Sequence, residues 1–403
     1  MTFPSGLRAL NHRDFRIVFA GQSVALVGMW MQQVAQAWLV LQLTNSPLKL
    51  GLTGTLAFAP ALLFSLVAGA IADRVPKRRL LVLTQSVMAM QALTLGTLIV
   101  TGHIAYWHVC AMALLWGIAN TLDLPTRQSF VLELVGRADL ANAVALNAAA
   151  FNAARVVGPA VAGLLIAAVG VAPAFFINGA SFLLVIPALL SARTRGLPLR
   201  SGTTTIGDEV REGVRYALST PRILIVLAIL GVVAITVFNF SVYVPLLARD
   251  VLGRGPDGLG FLMASLGVGA VAGALSLAMV GDRSPSVAML FITGFVSCGG
   301  LLVMSVVRDF GVAAVGLFIL GFTSIIVVAG CNAFLQLTAP DELRGRVMSL
   351  HTFVFGGVFP IGVFFVGAIS ERWGVPTAFA AGGIIGLVGL CVVFFFWRRI
   401  GVA

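Results

Sequence analysis

The chain has 403 residues, of which 59% are hydrophobic and only 10% charged, with a formal net charge of +11. Domains dissolved in water usually carry about 25% charged residues, so an aqueous globular fold is excluded. The basic excess does not point to nucleic acid, because the lysines and arginines stand in connections between long apolar runs, where membrane proteins concentrate them.

Those runs return along the whole sequence, and each is long enough to cross a hydrocarbon core of about 30 Å as a helix rising about 1.5 Å per residue. A β-barrel would show shorter alternating segments. Helical spans are expected at 14–43, 48–72, 80–101, 104–124, 139–169, 173–192, 223–248, 258–280, 287–307, 311–337, 347–370 and 375–397. The first is read as a retained span, since no small-residue cleavage site follows it. The fold expected is an all-α integral membrane protein with 12 transmembrane helices.

The four cysteines, Cys110, Cys298, Cys331 and Cys391, fall inside apolar runs without paired spacing, so neither a disulfide framework nor a zinc site is expected. His103 and His108 lack further ligand candidates, so no metal is expected. Gly258, Gly260, Gly267, Gly269 and Gly273 sit at or within an apolar span, where small residues permit close helix packing, and suggest no nucleotide site. No cofactor is expected. No HExxH run and no Ser-His or His-Asp pair occupies a span, which argues against an enzyme, and the lack of a Walker sequence argues against direct ATP drive.

Orientation follows from the loop charges. With the N-terminus cytoplasmic, 20 lysines and arginines lie inside and five outside (Lys49, Arg249, Arg254, Arg308, Arg372), with Arg155 within a span. Both termini are therefore expected in the cytoplasm. The connection at 193–222 divides the chain into an N-terminal six-helix bundle at 1–192 and a C-terminal one at 223–403. Within it Ile206, Val210, Val214, Ala217 and Leu218 recur at helical spacing, with Asp208, Glu209, Arg211, Glu212 and Arg215 on other faces. This pattern predicts an amphipathic helix on the cytoplasmic surface, acting as a tether of set length.

The halves echo each other. Gly69, Asp73 and Arg74 after span two have counterparts in Asp282 and Arg283 after span eight, and GRADLANAVAL before span five has one in PDELRGRVMSL before span eleven. Offsets of a little over 200 residues are the mark of a duplicated half.

The run Gly69-Ala-Ile-Ala-Asp73-Arg74-Val-Pro76-Lys77-Arg78 resembles the signature loop of the major facilitator superfamily, with Pro76 in place of its second glycine. Asn152-Ala-Ala-Arg155-Val-Val-Gly158-Pro159-Ala-Val-Ala-Gly163 resembles the glycine and proline motif of exporters in that superfamily. With Pro125, Arg127 and Gln128 after span four, and Arg344, Gly345 and Arg346 before span eleven, the chain is similar to the branch that holds enterobactin exporters and macrolide efflux pumps. The resemblance implies two pseudo-symmetric six-helix bundles and alternating access in a bacterial plasma or inner membrane. It implies export of a small amphipathic molecule, a siderophore or a drug-like compound, by a monomer exchanging it for protons. An importer or an uncoupled facilitator stays open as the alternative.

Several residues carry specific expectations. Gly69 would let two helices approach closely, and Asp73 would accept hydrogen bonds at a neighbouring helix N-terminus, making a conformational latch. Asp123 shares a helical face with Asn120 and Arg127; the resemblance suggests that it pairs with Lys77 or Arg78. Arg155, inside a span, must face protein or water. It is either a control point for the coupling ion or an anionic substrate, or a partner for backbone carbonyls beside Pro159. Gln22, Met29, Gln33 and Gln36 form a polar stripe of about 60° on span one, expected to line a cavity. Asn239 with Tyr243, and Asn332 with Gln336, are i, i+4 pairs that either meet substrate or hold helices together. His351 is expected at the membrane interface, without a role.

Overall fold

A computed structural model describes residues 4–194, 215–279 and 285–399. Asp282, Arg283 and most of the expected linker helix lie outside the described residues. So do the side chains of Asp73, Asp341 and Glu342.

The described chain is helical and, among the described residues, contains no strand. After a 3-10 segment at Ser5–Asn11 come α1 (Arg13–Thr44), α2 (Pro47–Arg74), α3 (Lys77–Val100), α4 (Tyr106–Val169) and α5 (Ala172–Ser191). The second half of the sequence contributes α6 (Pro221–Thr236), α7 (Phe240–Leu246), α8 (Pro256–Met279), α9 (Val287–Val306), α10 (Phe310–Thr338), α11 (Asp341–Trp373) and α12 (Val375–Arg399).

Among the described residues, eleven helical segments are long and apolar enough to span a membrane, one of them running for 64 residues. At about 1.5 Å per residue that helix, α4, would reach about 96 Å, three times a hydrocarbon core of about 30 Å. It holds two crossings. The joint is Gly136, at φ 70° and ψ 175°, a backbone conformation that L side chains avoid and glycine tolerates. The open loop expected between spans four and five is thus helix on both sides of one residue. Residues 221–251 make a single crossing with the opposite irregularity: helix stops after Thr236, resumes at Phe240 and ends in a π-helical turn at Leu247–Val251. The tally of twelve crossings therefore stands.

Contacts divide the chain into two compact units, with Pro256–Gly260 packing in the first and Ser46–Thr55 in the second. In the first unit α1 packs on α4 and α5, and α3 on the same two helices. Their core joins Phe15 and Val18 to Leu81, Met88, Phe130, Phe182 and Val185. In the second unit α9 packs on α12 and α10, and α6 on α11. Large apolar side chains such as Leu63, Leu164, Val306 and Ile319 stay exposed, as expected of helices whose outer faces meet lipid.

The duplication is visible in the chain's glycines. Gly170 ends α4 at φ 86° and Gly374 ends α11 at φ 85°. A Cβ on Gly163 would lie 2.8 Å from Gly260 Cα, and one on Gly367 would lie 2.9 Å from Gly51 Cα. Each of these features recurs at an offset of a little over 200 residues.

Candidate functional site

The first unit buries a polar cluster between three helices. Asp123, on α4, is 5% exposed. Its Oδ1 accepts hydrogen bonds from Thr84 Oγ1 at 2.7 Å and Gln85 Nε2 at 2.9 Å, both on α3. Its Oδ2 accepts from Arg127 Nε at 2.9 Å and Nη2 at 2.5 Å, one turn along the same helix. The remaining arm of Arg127 donates to Gln22 on α1. A carboxylate with both oxygens engaged and a forked guanidinium make a strong, geometrically specific contact. In apolar surroundings such a contact is held only while every member is present.

This arrangement corrects the expected pairing. Asp123 is joined to Arg127, its neighbour on the helical face, while Lys77 is buried at the start of α3 against Glu133 at 2.6 Å. Arg78 donates to the Ala192 carbonyl at 2.9 Å, tying α3 to the end of α5. Among the described residues, a Cβ added at Gly69 would meet nothing within 4 Å. Arg74 ends α2 and is exposed.

The polar stripe on α1 divides. Gln22 belongs to the Arg127 cluster, whereas Gln33 and Gln36, with Met29, are half-buried. The residue that forms interhelical bonds is Gln32, one position off the stripe. It donates to Gln91 on α3 at 3.3 Å and accepts from Asn178 on α5 at 2.7 Å. Three amides inside apolar runs were the available signal, but their pairing depends on which faces meet.

Arg155 sits on the second arm of α4 with its guanidinium carbon 5.9 Å from the centre of the Trp30 ring on α1. Gly158 and Gly163 permit the local packing. A Cβ on Gly158 would stand 2.5 Å from Trp30 Cβ, and one on Gly163 would stand 2.7 Å from the Pro256 carbonyl oxygen. Pro159 lies between them, its carbonyl 2.7 Å from where a Cβ on Gly260 would be.

In the second unit, Tyr243 is fixed in the interior. Its ring stacks on Phe379 at 4.4 Å, and its hydroxyl lies 3.3 Å from the carbonyls of Thr236 and Ala378. Asn239 is fully buried beside Gly362 and donates to Ile235 O at 2.8 Å. The helix break precedes this pair: Asn239 is the N-cap of α7 and its carbonyl accepts from the Tyr243 amide at 3.0 Å, so the i, i+4 spacing holds. Tyr243→Phe is expected to lower unfolding stability by about 1 kcal/mol, the net value of such a bond, and to leave substrate KM unchanged. Thermal unfolding and a transport titration read the two effects.

Asn332 and Gln336 bond each other at 2.5 Å, and Arg344 donates to the Gln336 carbonyl at 3.0 Å. No neighbour within 4 Å would meet a Cβ on Gly345 among the described residues, and Arg346 is half-buried. His351 is buried among the helices. His108 accepts from the Ala105 amide at 3.0 Å, capping the start of α4.

A clasp near the N-terminus was missed by sequence reasoning. Asp139, beyond the Gly136 joint, accepts from His12 at 2.8 Å and pairs with Arg8.

A sequence profile described as transmembrane secretion effector matches residues 4–400. The chain belongs to this family of major facilitator superfamily transporters. It is 28% identical over 390 residues to the multidrug efflux pump Tap of Mycolicibacterium fortuitum, covering 94% of each chain. It is 24% identical to the staphyloferrin A transporter of Staphylococcus aureus, covering 94% of this chain and 95% of the relative. It is 26% identical to the enterobactin exporter EntS of Shigella boydii, covering 94% and 90%. A solved POT family transporter in complex with 5-aminolevulinic acid shares the fold, with a TM-score of 0.79 over 96% of both chains at 12% identity. As a major facilitator superfamily member the chain is a multi-pass membrane transporter of a small molecule, and not an enzyme.

Proposed function

We propose that this transporter exports a small amphipathic molecule, a siderophore or drug-like compound, by alternating access coupled to proton antiport. On this reading it works as a monomer in a bacterial plasma membrane with both termini in the cytoplasm. The observation that carries the reading is the buried Gln22–Arg127–Asp123–Thr84/Gln85 cluster, which joins α1, α3 and α4. Its ionic bonds are weakened when the carboxylate takes a proton, so protonation can bias two arrangements of these helices. Gly69, Asp73, Arg74, Lys77 and Arg78 are assigned to a latch for one of them. Gln33, Gln36 and Met29 are assigned to the cargo-facing surface. The full-length likeness to a multidrug efflux pump and to enterobactin exporters supports the cargo class.

Inverted membrane vesicles test it. Energised vesicles carrying the protein are expected to take up at least one member of a siderophore and drug panel, and a protonophore is expected to stop the uptake. Uptake indifferent to the protonophore would establish an uncoupled facilitator instead. If no panel member moves, the export reading is refuted.

A further inference from the structure

Arg155 is fourteen residues from the Val169 end of α4, or about 21 Å along the helix axis. A charge at that depth needs an acceptor or water. Its own helices supply no carboxylate. The only acidic residue on α1 is Asp14, about 24 Å along the axis from Trp30, and it already accepts from the Arg193 amide at 2.6 Å and the Thr194 amide at 3.1 Å. The only one on the second arm of α4 is Asp139, also about 24 Å away and held in the clasp with His12 and Arg8. On α8, Asp257 belongs to the turn that meets α4 near Gly163, about 12 Å beyond Arg155. Among the described residues, the guanidinium has the Trp30 ring and no hydrogen-bond acceptor.

Trp30 repeats the deficit. Its indole Nε1–H is buried and has no acceptor among the described residues. Phe151, one turn before Arg155, meets the same indole edge-on at 5.7 Å and 67°, and remains 41% exposed. Gln33, one turn beyond Trp30, is half-buried. Arg155 is itself half-buried, and the backbone of Pro159 and Gly163, further along the helix, lies against the first turns of α8. A cation and a neutral donor, both lacking an acceptor and both bordered by aromatic surface, thus stand within the reach of one small molecule.

We propose that Arg155, Trp30 and Phe151 form a subsite for the anionic group of a ring-bearing solute. The anion accepts from the guanidinium fork and from the indole N–H, and its ring lies against Phe151 and the indole. This inference rests on the export reading only in taking that solute as cargo. It predicts that the transporter prefers an aromatic anion to a neutral molecule of the same shape.

Binding to purified protein in nanodiscs tests this without any gradient. The probes are naphthalene-2-sulfonate and its neutral analogue naphthalene-2-sulfonamide, titrated calorimetrically against empty nanodiscs as blank. In zwitterionic lipid the sulfonate is expected to bind the wild type at least ~10-fold more tightly, as charge-assisted hydrogen bonds require. Arg155→Gln is expected to bring the two probes within ~2-fold of each other, while Arg155→Lys keeps part of the preference because the point charge survives without the fork. Trp30→Phe keeps a ring but removes the N–H, and is expected to weaken the sulfonate ~5-fold and the sulfonamide less.

Equal binding of the two probes by the wild type, no binding of either, or a preference that persists in Arg155→Gln would overturn the proposal. Should Arg155→Gln fail to fold, Arg155→Lys and Trp30→Phe decide by the same ratios. Repeating the titration in phosphatidylglycerol separates the sources of the anion: if that lipid abolishes the preference, the donors belong to a headgroup and the solute assignment falls. Loss of the preference with efflux intact removes this subsite and leaves export standing. Selective binding by a protein that moves nothing in vesicles does the reverse.

Discussion

Asp123→Asn is expected to reduce export at least ~10-fold while the protein still reaches the membrane. The asparagine is close in size and keeps one oxygen for Arg127, so the helix packing survives. Its NH2 group, however, turns a donor toward Thr84 or Gln85, which already donate to that position at 2.7 and 2.9 Å, and the negative charge opposite Arg127 is gone. Asp123→Ala is harsher: taking one partner from a buried ion pair costs about 3–5 kcal/mol, because the other charge is left uncompensated. That variant should be seen as reduced protein in membranes and a lower unfolding midpoint. The double variant Asp123→Asn with Arg127→Gln removes both charges and is expected to regain stability without regaining export, a non-additivity that a double-mutant cycle reads directly. Wild-type efflux from Asp123→Asn would take the cluster out of the mechanism.

The part of this cluster that was readable in the sequence was the part set by local geometry. Asp123 and Arg127 are four residues apart in a helical run, so their meeting follows from the helix repeat. Which α3 side chains meet Asp123 depends on how α3 is rotated and shifted against α4, and the sequence does not encode that in any short pattern. Lys77 and Arg78 were therefore credited with a partner that Arg127 holds, while Lys77 met Glu133. The same limit separates Gln33 from Gln32. They are adjacent in the chain but about 100° apart around the helix, and only the position of α3 and α5 decides that Gln32 is the buried one.

The crossings were legible because a membrane demands about 20 apolar residues for each. Breaks in helix were not, since Gly136 is one of many glycines and shows its role only through its positive φ, and the stretch between Thr236 and Phe240 continues the apolar run of the helices on either side of it. The duplication was visible at the charged loops. Its structural expression in Gly163 with Gly260 and Gly367 with Gly51 appears only when a Cβ is placed at each.

Gly163→Val is expected to abolish export, with a loss of at least ~10-fold, because the atoms it would strike cannot move aside. A Cβ there would lie 2.7 Å from the Pro256 carbonyl oxygen, 2.8 Å from Gly260 Cα and 3.1 Å from Gly260 N. All three are backbone, and carbon atoms settle at about 3.5–4.0 Å, so α4 and the start of α8 must separate by roughly 1 Å and lose their close packing. Gly260→Val meets the same obstacle from the other side, with Gly163 Cα and the Pro159 carbonyl both at 2.7 Å. Combining the two should therefore add little to either alone. Gly163→Ala adds only the first carbon and should fall between valine and wild type. Gly356→Ala is the control: it lies inside α11, and among the described residues a Cβ there meets nothing within 4 Å. Alanine also has the higher helix propensity, so that variant should transport at the wild-type rate. Vesicle transport, read beside the thermal midpoint of each purified variant, separates a packing defect from a defect in the cycle. A Gly163→Val protein that transports at the wild-type rate would show that this close approach is not required.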